Sequence, residues 1–169
     1  MTSLAPLQGR YWRMLGVRWQ RRPLESGAHR TGGRWNPMGM PALYLSADYV
    51  TAIVEMHQEL VRPGTLAAYD VIANAIADLR GTDPAITECL WRQIFMVEKG
   101  IPPSWKLAEE LTLAGAEGAL VPSVQNKGGT NLVLWKWHDA GAGAETASGE
   151  GAALSLLDPE GALAARDRN

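Results

Sequence analysis

Arg34 follows two glycines in the string Gly32-Gly33-Arg34-Trp35-Asn36-Pro37-Met38-Gly39, Tyr44 stands in Leu43-Tyr44-Leu45-Ser46, Glu55 comes next, and Ser123 lies far downstream after Pro122. A guanidinium meets phosphate oxygens with paired donors. A carboxylate can oppose positive charge that develops as a bond breaks. A phenol offers a flat ring and a hydroxyl, and a serine adds one further hydroxyl. Glycines beside the arginine let backbone approach a ligand closely. Each type also has an ordinary use. A lone helical glutamate is usually solvated, an arginine in a Gly-rich loop usually braces it, a tyrosine in an apolar run is usually core, and a serine after proline can close a turn. In the same string Trp35 is expected to anchor the loop by packing, and Asn36 to tie its backbone together.

Other chemistries lack their signatures. The chain has no Walker loop, no strand-linked Gly-x-Gly-x-x-Gly, no His-Glu-x-x-His and no Gly-x-Ser-x-Gly. Its single cysteine, Cys89, rules out an internal disulfide framework and sits in an apolar run as a small buried hydrophobe would. His29, His57 and His138 are too scattered to form a metal site, and His57 is expected to be a satisfied core histidine. Glu109 and Glu110 are neighbours on a helix, point apart, and are read as solvated.

The elements that must position these residues follow from pattern. Arg10 to Val17 predicts a first strand, and the Arg-, Gly- and Pro-rich stretch from Gln20 to Pro41 a structured loop. Ala42 to Leu45 predicts a short strand ending at Ser46, which is expected to cap a helix over Ala47–Val61. On that helix Val50, Ile53, Val54, His57 and Val61 share one face, which leaves Glu55 nearly opposite, toward water or a cleft wall. Thr65 to Ile72 predicts a strand, Asp83-Pro84 opens a helix running to Gly100, and Pro102-Pro103-Ser104 opens another ending near Gly115. Ala119–Val121 and Asn131–Trp135 predict two strands joined by a Gly128-Gly129 loop, the second central because both its faces are apolar. The mixed order favours a single α+β domain. Within it, residues 1–139 form the main body, 140–153 a flexible low-complexity insertion, and 154–169 a last edge strand and tail.

At 169 residues the chain suits one domain with a real core, and its 46% hydrophobic and 20% charged shares are those of a globular protein. A net charge of −2 supplies no whole-molecule attraction to nucleic acid or anionic membrane. Positive charge is nevertheless concentrated. Arginines 10, 13, 18, 21, 22, 30 and 34 crowd one stretch in which Glu25 is the sole acid. With no signal-peptide pattern at the start and no apolar run of about 20 residues, a cytoplasmic location is expected.

The Gly-Gly-Arg-Trp-Asn string, the Tyr-Leu-Ser run, Glu55, Val121-Pro122-Ser123 and Asn131-Leu132-Val133 together resemble the RES domain family, named for an arginine, a glutamate and a serine. The resemblance spans about Tyr11 to Trp137. It implies a mixed sheet flanked by helices, like that of ADP-ribosyltransferases, and a toxin restrained by a helix-turn-helix antitoxin. It also implies action on NAD at the nicotinamide–ribose bond, with NAD as substrate and no cofactor, and with water, phosphate or a protein as acceptor. Glu55, Arg34 and Ser123 would then be catalytic, with Arg13, Tyr44, Arg34 and Ser123 holding substrate and Arg13 and Arg34 matched to the pyrophosphate. Assembly as copies of the chain, or of toxin with antitoxin, would follow. The alternative is a silent module whose arginine loop grips a phosphate-bearing or acidic partner; it has no need of the carboxylate. Two departures stand out: Trp12 replaces a common tyrosine-type aromatic, and the Ala/Gly-rich 140–153 stretch looks inserted.

Overall fold

The computed structural model describes all residues except 1, 59, 142, 147, 148, 160, 162 and 164–169. Strand β1 (Leu4–Gly16) leads through a 3-10 turn at Val17–Trp19 and a one-turn helix α1 (Ala28–Thr31) to β2 (Leu43–Ser46) and helix α2 (Tyr49–His57). Then come β3 (Gly64–Asp78), α3 (Pro84–Thr87), a π-helical turn at Gln93–Val97, α4 (Pro103–Leu113), β4 (Gly118–Pro122), β5 (Thr130–Leu134), β6 (Trp137–Asp139) and β7 (Ala152–Leu157). The strands order as β1-β2-β5-β4-β3-β7-β6, and β1 also pairs antiparallel with β3 from Leu4↔Ala77 to Gly16↔Gly64. Because Trp12 also pairs with Ser46, strands β1, β2, β5, β4 and β3 form a closed circuit of pairings. The β3–β4 and β6–β7 pairs are parallel and the others antiparallel, so the expected α+β mixed sheet is what forms.

Strand β5 shows why a central strand is apolar on both faces. Leu132 and Leu134 join Tyr11, Leu43, Leu45, Tyr69 and Leu154 in one core cluster. Val133 points the other way and joins Trp35, Leu79, Leu111, Val121 and Trp135 in a second. The second cluster seats the Gly32–Asn36 loop and α4 against the sheet.

Several expected boundaries shift. Strands β1 and β3 run longer than Arg10–Val17 and Thr65–Ile72 because they support each other along their length; the register slips between Ala5 and Leu7, at Pro6, which has no N–H to give the ladder. Helix α2 is capped by Asp48, whose carboxylate accepts from the Thr51 N–H and hydroxyl at 2.8 Å, and not by Ser46, which closes β2. It stops at His57, with Gln58 in a left-handed conformation (φ 42°), and does not reach Val61. The helix expected from Asp83 to Gly100 breaks after α3. The Arg34 guanidinium takes the Thr87 and Cys89 carbonyls, which a continuous helix would give to Trp91 and Gln93. The segment Trp137–Asp139, unassigned by pattern, is β6. Strand β7 begins at Ala152, inside the stretch expected to be a flexible insertion, and lies between β3 and β6, so β6 and not β7 is the edge. Buried Ala152 and Ala153 explain it: small side chains there serve close packing. The expected tail at 164–169 lies outside the described residues. None of the described helices is long and apolar enough to cross a membrane.

Candidate active site

At one end of the sheet, where β2 and β4 stop and β5 starts, three neighbouring strands each deliver a polar side chain. Ser46 ends β2, Asn131 lies near the start of β5 opposite it in register, and Ser123 follows β4. Glu55 reaches them from α2. Its Oε1 accepts from the Ser123 hydroxyl at 2.6 Å and from Asn131 Nδ2 at 2.7 Å. Among the described residues no group donates to Oε2. Ser46 donates its hydroxyl proton to Asn131 Oδ1 at 2.8 Å. Behind this group, the Asn126 N–H donates to Ser123 Oγ at 2.9 Å and Asn126 Nδ2 to Thr51 Oγ1 at 2.8 Å. A side chain at Gly129 would meet Thr51 Oγ1 at 2.6 Å, so glycine is needed for the β4–β5 loop to lie against α2.

The inner face of α2 is therefore not the apolar stripe expected from spacing. Thr51 and Ala52 are buried with Glu55 half-buried beside them, whereas Val50 is 48% exposed. Polar groups face inward because the strand ends supply partners for them. His57 is half-buried, its Nε2 against the Arg62 carbonyl at 3.2 Å; it is a loop tie and not a core histidine.

Two cavities meet at Tyr44, Glu55 and Asn131. The larger, about 560 Å³, is bounded also by Gly32–Trp35, Trp91 and Arg92. The smaller, about 280 Å³, is bounded also by Trp12 and Arg13. Thus Arg34 stands on one side of the carboxylate and Arg13 on the other. Arg34 commits only Nη1 to the Thr87 and Cys89 carbonyls, so it is both a brace and a cleft residue. Arg13 Nη1 donates to the carbonyls of Pro23 at 3.1 Å and Glu25 at 2.8 Å, and desolvation by burial lowers the pKa of this guanidinium.

Tyr44 gives the cleft its ring and not its hydroxyl. That hydroxyl donates to Asn36 Oδ1 at 2.8 Å and accepts from the Trp35 N–H at 2.9 Å, and burial holds its pKa well above the usual phenol value. Ser123 likewise gives its proton to Glu55, so it orients the carboxylate. The loop expectations hold. Trp35 is buried, and Asn36 shares its amide hydrogens among the carbonyls of Ala28, Pro37 and Met40, each at 3.1 Å. The Gly33, Arg34 and Trp35 carbonyls accept from Trp105 Nε1, Ser104 Oγ and Trp135 Nε1 at 2.7, 2.6 and 3.0 Å. Cys89 is buried, its thiol 3.4 Å from Ser104 Oγ.

All five expected site residues thus border one of the two cavities or bond directly to Glu55. Sequence reasoning missed Asn131 and Ser46 as site residues. The available signal was a polar residue opening an otherwise apolar central strand. Among the described residues no three His, Cys, Asp or Glu side chains gather as a metal site would need.

The family model of the RES domain matches residues 10–156 of this chain. Among solved structures, the crystal structure of the M. tuberculosis MbcT-MbcA toxin-antitoxin complex is similar in fold, with a TM-score of 0.55 and 21% identity, over 78% of this chain and 76% of that one. No curated protein matches the chain.

Proposed function

The chain belongs to the RES domain family, and from that premise and the geometry around Glu55 we propose that it is a toxin enzyme cleaving the nicotinamide–ribose bond of NAD. The observation that carries this reading is the half-used carboxylate. Two donors hold Oε1, none among the described residues reaches Oε2, and the residue stands where two arginine-bearing cavities join. When the glycosidic bond of NAD breaks, its electron pair goes to the pyridinium nitrogen, so nicotinamide leaves neutral and needs no strong acid. The ribose is left with oxocarbenium character, which a fixed carboxylate stabilises more than it stabilises the ground state. Oε2 of Glu55 would oppose that charge and hold a ribose hydroxyl. Arg34, with guanidinium nitrogens beyond the Nη1 used for bracing, would receive pyrophosphate oxygens, joined from the other cavity by Arg13, whose guanidinium also bonds the Tyr69 hydroxyl. The Tyr44 ring would wall the nicotinamide side.

Purified protein incubated with NAD should release nicotinamide, with free or phosphorylated ADP-ribose accumulating in step. Label transferred to protein would instead identify a transferase. Folded protein that releases no nicotinamide would overturn the reading. An NAD-consuming enzyme harms its own cell, so an antitoxin, of helix-turn-helix type, is the proposed partner; the toxin-antitoxin assembly named in the similar structure supports the antitoxin and not its type. Expression of folded protein at high level without growth cost, with no antitoxin present, would count against the toxin role.

A further inference from the structure

The two donors on Glu55 differ in how they are held. Ser123 is fixed by its own loop, through the Asn126 N–H on its oxygen. Asn131 carries an amide whose two ends have the same shape and opposite hydrogen-bonding character. If the amide turned over, its oxygen would face the Glu55 carboxylate and the contact would become repulsive. Glu55, which only accepts, thus fixes which end of the amide faces it, and Ser46 holds the other end by donating its hydroxyl to Oδ1 at 2.8 Å while Nδ2 donates to Glu55 at 2.7 Å. Ser46 and Asn131 are direct register partners across β2 and β5, so the sheet itself sets their separation. Ser46 is 4% exposed and has no bond to Glu55, so any influence on that carboxylate passes through Asn131.

We propose that Ser46 and Asn131 are positioning residues for the reaction. The Ser46 hydroxyl anchors the Oδ1 end of the Asn131 amide, and that amide pins Glu55 Oε1 so that Oε2 is the oxygen presented to the substrate. The proposal rests on the assignment of Glu55 as the carboxylate that opposes the ribosyl cation. Misplacing a reacting group by about an ångström can cost on the order of a hundredfold in rate, so a residue that never touches substrate can still control turnover.

The test is a double-mutant cycle on nicotinamide release, with a side-chain amide spectrum beside it. Asn131→Ala should lower kcat by roughly tenfold to a hundredfold with KM within about twofold of the parent. Ser46→Ala should lower kcat by less, and Ser46→Thr, which keeps the hydroxyl, should restore it. The Ser46→Ala/Asn131→Ala pair should be no slower than Asn131→Ala alone; multiplying losses would mean that the residues act separately and would overturn the relay. In ¹⁵N spectra the Asn131 side-chain amide signals, assigned by their loss in Asn131→Ala, should move both in Glu55→Gln and in Ser46→Ala. Signals that stay put in either variant would overturn the proposal whatever the kinetics. If Asn131→Ala fails to fold, the Ser46 pair and the spectra of the parent and Glu55→Gln still decide it. A parent protein that releases no nicotinamide removes the assigned role of Glu55, and the proposal with it. Amide signals that nonetheless move as expected would show that the function reading failed and the hydrogen-bond relay did not.

Discussion

The Gly32–Asn36 loop and the Glu55 cluster are both dense in polar contacts, yet they are built to opposite ends. In the loop, the Gly33, Arg34 and Trp35 carbonyls, the Asn36 amide and the Tyr44 hydroxyl are all paired. The one gap in that closure, among the described residues, is the buried Trp35 indole N–H, which has no partner and lies on the packed side of the loop. At Glu55, two donors crowd one oxygen, and among the described residues none reaches the other. A closed network in a low-dielectric interior gives rigidity, and an open one gives a place for a ligand to complete it. The first region is the frame and the second is the tool.

Breaking the frame should do most damage to stability. Asn36→Leu keeps the bulk but takes the amide donor from the Met40 carbonyl and the acceptor from the Tyr44 hydroxyl proton, and leaves the Ala28 and Pro37 carbonyls with only the Gly32 and Met40 N–H groups. A loss of about 3–5 kcal/mol is expected in urea unfolding, with turnover lost alongside. A stable, active Asn36→Leu protein would show that the loop does not depend on its polar closure.

Glu55→Gln should do the reverse. Glutamine keeps an acceptor for Ser123 and Asn131 but carries no charge, so turnover should fall about a hundredfold or more while NAD still binds. Stability should stay within about 1 kcal/mol. Nicotinamide release near the parent rate would remove Glu55 from the mechanism, and a collapsed melting temperature would make it part of the frame.

Arg34→Lys tests the residue that belongs to both regions. An ammonium can reach one of the Thr87 and Cys89 carbonyls but cannot also present a planar fork to phosphate. Turnover should drop about tenfold, with about 1 kcal/mol of stability lost. Unchanged turnover beside that stability loss would make Arg34 a brace alone.

The smallest effect lies at high pH. Burial raises the pKa values of the Tyr11 and Tyr44 phenols, and holds that of Tyr69 at about 12. A phenol with an ordinary value near 10 loses its proton sooner in the unfolded chain than in the folded one. The contribution of these residues is therefore full below pH 10 and is lost as pH rises through the folded values. Melting temperature should hold up to pH 10 and then fall, less steeply in Tyr69→Phe. An equal slope in that variant would deny Tyr69 its share.

Much of the frame was legible in the sequence because its information is local. Gly33 has to be glycine because a Cβ there would sit 2.6 Å from the Tyr44 hydroxyl and 2.7 Å from Asn36 Oδ1, and all three belong to one short stretch. The arginines, the glutamate and the serine were legible as residue types matching a family pattern, and β5 as a central strand from its two apolar faces. What only the tertiary structure decided was the direction in which side chains look. Periodicity on α2 places Glu55 opposite Val50 and Val54 but cannot say which face meets the sheet. That choice was made by Ser123 and Asn131, whose donors come from strand ends far along the chain. The helix predicted to Gly100 failed for the same reason, since Arg34 claims carbonyls that local propensity assigns to the helix. So did the edge position expected for β7, because β6 can cover it only once the chain between them has turned back. Local sequence sets which conformations a segment can adopt at low cost; partners distant in the chain set which of them is satisfied.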